Sequence, residues 1–304
     1  MIEPLASGPG NWVGACGVTL DPESSTYYLY YRIREPRPVR GGRCRIAKSA
    51  DGLRFETIWE SSKADYGTDS IERGGLMRTE DGGWRLYISY VDPADNRWRV
   101  DRMDAASPEG IQTADRREVL TAASIGEEGV KDPFPFEYEG KIYLLLSYAT
   151  QLDTLSNEQK QAMHATADIY NTGLTKSSSG LAVSEDGGVT FRWLGDIFSP
   201  SSSGWDQYAA RLSAIVYRPP VFVGFYDGSA SFEENYEERL GVATSLDLMH
   251  WSRLTPEKPL IQGPGSTGSI RYLDFVDLPD HTAIYYEMTR PDGSHEIRRN
   301  LVKR

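Results

Sequence analysis

Acidic and basic side chains recur at one place in this 304-residue chain, a fixed distance ahead of strands rich in tyrosine. Fifteen residues before Tyr31, Tyr226 and Tyr286 stand Cys16, Arg211 and Arg271. The matching place before Tyr148 is Asp132, in GVKDPFPFEYEGKIYLLLSY, and before Tyr90 it is the pair Glu72 and Arg73, in SIERGGLMR. Just after the same tyrosines come Arg32, Asp227 and Glu287, so further charges approach from the tyrosine strands themselves. Ionised groups at converging strand ends are costly to bury for stability alone, and a polar ligand is the simpler account of them. Burial and neighbouring carboxylates raise the pKa of one acid while an arginine keeps another ionised, which is the arrangement general acid–base chemistry needs. The guanidinia offer bidentate recognition of a carboxylate, sulfate or phosphate, so the ligand is expected to be anionic. The alternative role of every one of these acids is an ion pair with a neighbouring arginine.

The elements that must position these residues are five aromatic, β-branched runs: TYYLYYR (26–32), WRLYISYV (84–91), KIYLLLSYA (141–149), VFVGFYD (221–227) and TAIYYE (282–287). Each follows a turn rich in Gly, Pro, Asp or Ser, as buried strands do. Their last tyrosines, Tyr31, Tyr90, Tyr148, Tyr226 and Tyr286, recur at a blade-sized interval with no helix pattern filling the gaps. That periodicity predicts a single all-β domain over residues 1–304, a five-bladed β-propeller whose innermost strands meet on the axis. A second repeat agrees with it: AKSADGLRF (47–55), AASPEGI (105–111), AVSEDGGVTF (182–191) and ATSLDLMHW (243–251) each read as a side-chain-fixed turn closed by an apolar residue. The fifth copy is absent, and the chain ends on the charged strand SHEIRRNLVKR. One stretch, SNEQKQAMHATADIY (156–170), is helical in pattern, with Ser156 and Gln159 forming a capping box. It predicts a short helical insertion at 150–178, in the long step between the third and fourth tyrosine positions, in the third-to-fourth blade region.

Composition narrows the partners. A net charge of −11 argues against nucleic acid and against an anionic membrane surface. Mean hydropathy of −0.49 and the lack of a long apolar run predict no membrane span, and the start MIEPLASGPGNW lacks a secretory pattern, so a cytoplasmic protein is expected. Two cysteines and four scattered histidines make neither a disulfide framework nor a metal-ligand spacing. No GxSxG, Walker loop or HExxH is present, and no cofactor or metal is expected.

With these residues in place, the chain resembles the five-bladed propeller glycosidases, a group that takes in arabinanases, β-xylosidases, invertases, levansucrases and mannoside phosphorylases, and within it glycoside hydrolase families 43 and 130. VKDPFPFEYEGKIYLLLSY is similar to that family's Asp-Pro inner strand and following tyrosine strand, SADGLRF and SLDLMHW to its turns, and YYLYYRIR to its first blade in family 130. The resemblance implies cleavage of the glycosidic bonds of a small saccharide by paired carboxylates. It puts Asp132 and Glu72 first as catalytic residues and Glu287 third. Asp227, Arg32, Arg73, Arg211 and Arg271 would bind substrate, with Asp206 of GWDQYAAR at the rim. The chain departs from the family on the first inner strand, where Ala15 and Cys16 stand in place of the catalytic base. Two alternatives therefore stay open: a phosphorylase using inorganic phosphate, and a propeller that binds sugar without cleaving it. SEDGGVTF (184–191) also fits the Asp-box of sialidases, but those have six blades and a tyrosine nucleophile.

Overall fold

The computed structural model describes residues 1–303, and β-strands dominate it. The strands come in consecutive antiparallel meanders. The first is β1 (Trp12–Asp21), β2 (Thr26–Glu35), β3 (Arg40–Ser49) and β4 (Glu56–Ser62). One helical turn, α1 (Lys63–Tyr66), leads to β5 (Ile71–Arg78), β6 (Trp84–Val91), β7 (Trp98–Ala105) and β8 (Arg117–Leu120). A second turn, α2 (Ala122–Ile125), leads to β9 (Val130–Tyr138), β10 (Lys141–Gln151), β11 (Thr175–Ser184) and β12 (Arg192–Phe198). Then come β13 (Ala209–Arg218), β14 (Val221–Ser229), β15 (Arg239–Ser245) and β16 (Trp251–Arg253). The last meander has three strands, β17 (Ile270–Asp277), β18 (His281–Thr289) and β19 (His295–Lys303).

The first strands of the meanders pack side by side in cyclic order, β1 against β5, β5 against β9, β9 against β13, β13 against β17 and β17 against β1. The two chain ends are stitched together at the seam. β19 meets β1 in parallel at His295 and Trp12, and Ile2 bridges to Ile297 on the outer side of β19. The apolar core lies between meanders rather than inside any one of them. Tyr30, Ile46 and Trp59 of the first pack on Leu76, Trp84, Leu86 and Ile88 of the second, and Leu29 and Ala47 join Val276, Ala283 and Tyr285 across the seam.

The repeated turns are structural, as their sequence suggests. In one, Asp51 accepts from the amides of Leu53 and Arg54 at 2.8 and 2.9 Å, and the turns at Asp186 and Asp247 are built alike. The first two are also gripped by a neighbouring meander: Tyr285 donates to the Gly52 carbonyl and Tyr87 to that of Gly188. The turn SEDGGVTF is thus a packing device. Between β10 and β11 lies α3 (Asn157–Ala162), capped reciprocally by Ser156 and Gln159. Among the described residues, no helix is long and apolar enough to cross a membrane.

Candidate active site

Each first strand carries an irregularity at the same level. In β1, β5, β9 and β17 two residues face one on the partner strand: Ala15 and Cys16 opposite Tyr31, Glu72 and Arg73 opposite Ser89, Asp132 and Pro133 opposite Leu146, Tyr272 and Leu273 opposite Tyr286. β13 has its irregularity between Leu212 and Ala214. Such a bulge re-aims side chains out of the pleat. Ala15, Asp132 and Tyr272 accordingly adopt left-handed backbone, with φ of 51°, 59° and 51°. The ladder corrects the register read from the sequence. Ser89 and Leu146, not Tyr90 and Tyr148, are equivalent to Tyr31 and Tyr286. Ala15, Glu72, Asp132 and Tyr272 therefore share one level, while Arg211 and Arg271 stand one residue earlier, level with Lys131.

Around this level the protein buries a continuous charge network. Arg32 Nε donates to Glu72 Oε2 at 3.2 Å, Arg34 Nη1 to Glu72 Oε1 at 3.3 Å, and Arg32 Nη2 lies 3.6 Å from Glu287 Oε2. Arg271 grips Glu287 with Nε and Nη2 at 3.0 and 2.6 Å, and its Nη1 reaches Glu238 at 2.8 Å. Arg211 pairs with the other oxygen of Glu238. His295 links Glu287, at 2.6 Å through Nδ1, to Glu237, at 3.0 Å through Nε2. Glu287 and Asp227, on the second strands, sit directly opposite Arg271 and Arg211 in the ladder.

The acids fall into distinct electrostatic classes. Burial works against ionisation of Glu72, but Arg32, Lys131 and Arg34 override it and hold the carboxyl at about 2. Glu287 is treated the same way by Arg271, Arg32 and His295, and lies far below the usual carboxylate range. Asp227 is different: burial raises it to about 6, with Arg211 and the Tyr272 amide only partly opposing. Both its oxygens accept from that amide, at 3.1 and 3.2 Å. Asp132 differs again. It is 5 % exposed, yet neither carboxylate oxygen accepts a hydrogen bond from any described residue, and its nearest cation is Lys131 Nζ at 3.4 Å. Arg32 Nη1 and Arg211 Nη1 are likewise buried without a hydrogen-bond partner.

A roof closes the cluster. Asp168, from the segment after α3, accepts from Tyr236 at 2.6 Å and pairs with Arg37 and Arg40. Tyr170 lies over Lys131, whose Nζ is 4.6 Å from the ring centroid, and Asn235 donates to the Tyr170 carbonyl at 2.8 Å. Burial lowers the pKa of Lys131, with Asp132 and Glu72 opposing.

Three expected residues stand apart from this cluster. Arg73 does not join its neighbour Glu72 but reaches β13, donating to the Ser213 carbonyl at 2.6 Å. Cys16 donates to the Tyr272 carbonyl at 3.2 Å, and burial pushes its thiol up. Asp206, expected at the rim, is fully buried beneath the outer strand β16, where Arg253 Nε donates to it at 2.7 Å and Tyr226 at 3.1 Å. Arg34, Lys131, Asp168, Glu237, Glu238 and His295 join the cluster without being among the residues expected from the sequence. Lys131 adjoins Asp132 and Arg34 lies two residues from Arg32, so their strands carried the signal, whereas the others come from loops and a strand start whose approach only the fold reveals. Among the described residues no cluster of His, Cys, Asp and Glu is arranged to hold a metal ion.

No family model and no curated protein matches the chain. Solved structures do. An α-L-arabinofuranosidase from Lactobacillus brevis is 16% identical, with 95% of this chain and 90% of that one covered and a TM-score of 0.63. An endo-arabinase from Bacteroides thetaiotaomicron is 14% identical, covering 100% and 96%, at a TM-score of 0.65. A β-1,2-mannobiose phosphorylase from Listeria innocua is 13% identical, covering 99% and 92%, at a TM-score of 0.66. At these identities the likeness establishes architecture. The chain has the all-β fold of the propeller glycosidases.

Proposed function

We propose that this protein is a glycoside-cleaving enzyme, built as one five-bladed propeller domain with its reaction centre in the axial cluster. The observation that carries the reading is Asp132. A buried carboxylate without a hydrogen-bond donor forfeits stability, and such a group is expected where a substrate hydroxyl or a water completes the site. Its left-handed bulge presents it on the inner strand that resembles the family's Asp-Pro strand. Asp132 activates water or attacks the sugar, and Asp227, poised near 6, protonates the leaving oxygen. Glu72 and Glu287, each tied to two arginines, stay ionised and fix the guanidinia that face the substrate. The open nitrogens of Arg32 and Arg211 suit an anionic group on the sugar. Asp168, Tyr170 and Tyr236 must move for substrate to enter.

The same two open nitrogens support a second reading, in which inorganic phosphate takes the place of water. A released-sugar screen over aryl glycosides and oligosaccharides, with and without phosphate, tests both. Turnover without phosphate supports hydrolysis, and turnover only with phosphate supports phosphorolysis. Saccharide binding without turnover in either condition would leave a sugar-binding propeller and overturn the catalytic reading.

A further inference from the structure

Past the bulges, the second halves of the inner strands enclose a cavity of about 320 Å³ at the opposite mouth of the ring. Its wall is mainly apolar, with Leu20, Phe134, Phe136, Ile215 and Phe275 among its residues. The polar groups that reach it include Arg73, which is 1 % exposed, and Asp274. The Arg73 guanidinium is held in place. Nη1 is anchored on the Ser213 carbonyl, and the Phe134 and Tyr272 rings lie 5.4 and 5.8 Å from its centre. Nε and Nη2, however, have no hydrogen-bond partner among the described residues. Asp274 does not serve them. Its Oδ2 is 3.9 Å from Nη2, and its two oxygens accept from the amides of Val18 and Phe275, each at 2.8 Å.

Nε and Nη2 form one edge of the guanidinium, the edge that receives a carboxylate side-on through two parallel hydrogen bonds. Buried charged donors without a hydrogen-bond partner are costly, and a largely apolar cavity beside them sets the shape of what could meet them. We propose that this mouth is a second ligand site, distinct from the axial cluster, which binds a small organic carboxylate with an apolar body, its carboxylate on the Nε/Nη2 edge of Arg73 and its body among the aromatic walls. The site is independent of the glycoside-cleaving reading and stands if that reading fails.

Benzoate and its neutral isostere benzamide are the probes, read by calorimetry and by thermal shift. Benzoate is expected to bind and to raise the melting temperature by mass action, with benzamide giving no response. Arg73→Lys keeps the charge but loses the flat edge, and should weaken benzoate by about tenfold or more, the equivalent of one charge-assisted hydrogen bond. Leu20→Trp, at the half-buried wall, should block binding while leaving the circular dichroism spectrum unchanged. Arg211→Met, in the axial cluster, should leave the benzoate affinity as it is. Equal binding of benzamide, undiminished binding to Arg73→Lys, loss of binding in Arg211→Met, or no benzoate binding at all would overturn the proposal, the last meaning that only water meets the Arg73 edge.

Discussion

Replacing Asp132 and Glu287 by their amides should separate function from stability, because the two buried carboxylates are held in opposite ways. Glu287 accepts from Arg271 twice, from the Ala15 amide at 2.8 Å and from His295, and Arg32 lies beside it. Glu287→Gln removes the charge that these cations face and leaves them buried. Breaking such a pair costs about 3–5 kcal/mol, which for a chain of this size lowers the melting temperature by roughly 5–8 °C. Asp132 has no donor to lose and only Lys131 at 3.4 Å. Asp132→Asn forfeits that one contact but also relieves an unsolvated charge, so the net change in stability should stay within about 1 kcal/mol. Turnover should respond in the reverse order. An amide can neither ionise nor attack, and Asp132→Asn should cost on the order of a hundred- to ten-thousand-fold in rate. Urea melts followed by tryptophan fluorescence, alongside initial rates on the glycoside that the screen identifies, measure both quantities. If Asp132→Asn unfolds as readily as Glu287→Gln, its carboxylate is a structural anchor. If it folds normally and turns over normally, the reaction centre lies elsewhere.

Three further outcomes follow from the same electrostatics. With Asp227 as the proton donor, turnover should fall as pH rises through about 6, and Asp227→Asn should abolish that limb of the profile; an unchanged limb would reject Asp227 as the donor. Glu72 is ionised in the fold down to about 2 against 4.5 when free, so its stabilisation is complete above pH 4.5 and is lost as pH falls from there to about 2. Urea midpoints at pH 7, 4 and 2.5 should show that decline, and in Glu72→Gln it should be smaller. Gly14→Ala should destabilise and displace Glu287, because a Cβ at Gly14 would lie 1.6 Å from Glu287 Oε2; an unaltered melting temperature would show that the carboxylate is not held there.

The rhythm of the strands was legible because every repeat buries an aromatic strand behind a polar turn, and burial imposes composition directly. Register was not. The last tyrosine of a strand does not hold one level: Tyr286 faces its bulge, whereas Tyr148 lies two residues past Leu146, so counting back from the two reaches different levels of the ring. Glu72 and Arg73 adjoin in the sequence and looked like one site, whereas Glu72 pairs with Arg32 and Arg34 and Arg73 reaches the Ser213 carbonyl. Asp206 shows a different failure. Its neighbours in the sequence lead to an inner strand, but its partner, Arg253, is an outer-strand residue, and that pairing exists only after the meander has folded. The roof could not be read at all, since Asp168, Tyr236 and Arg40 are far apart in the chain and meet only through tertiary contacts.

The first inner strand posed the sharpest difficulty, since Ala15 and Cys16 stand where the resembled family places an acid. The structure answers it in space rather than in sequence. Gly14 has no side chain, and the room that a Cβ would take is filled by the Glu287 carboxylate, delivered from the fifth meander across the seam. The left-handed bulge at Ala15 then turns its amide onto Glu287 Oε2. Only a glycine permits this approach, and only a ring whose last and first strands adjoin brings β18 close enough to make it. An acid is therefore present at this level of the first inner strand, although neither Ala15 nor Cys16 carries one. Its low pKa, set by Arg271, Arg32 and His295, suits a group that remains charged and orients its neighbours, and so fits the proposal that Asp227 gives the proton and Asp132 activates water or attacks.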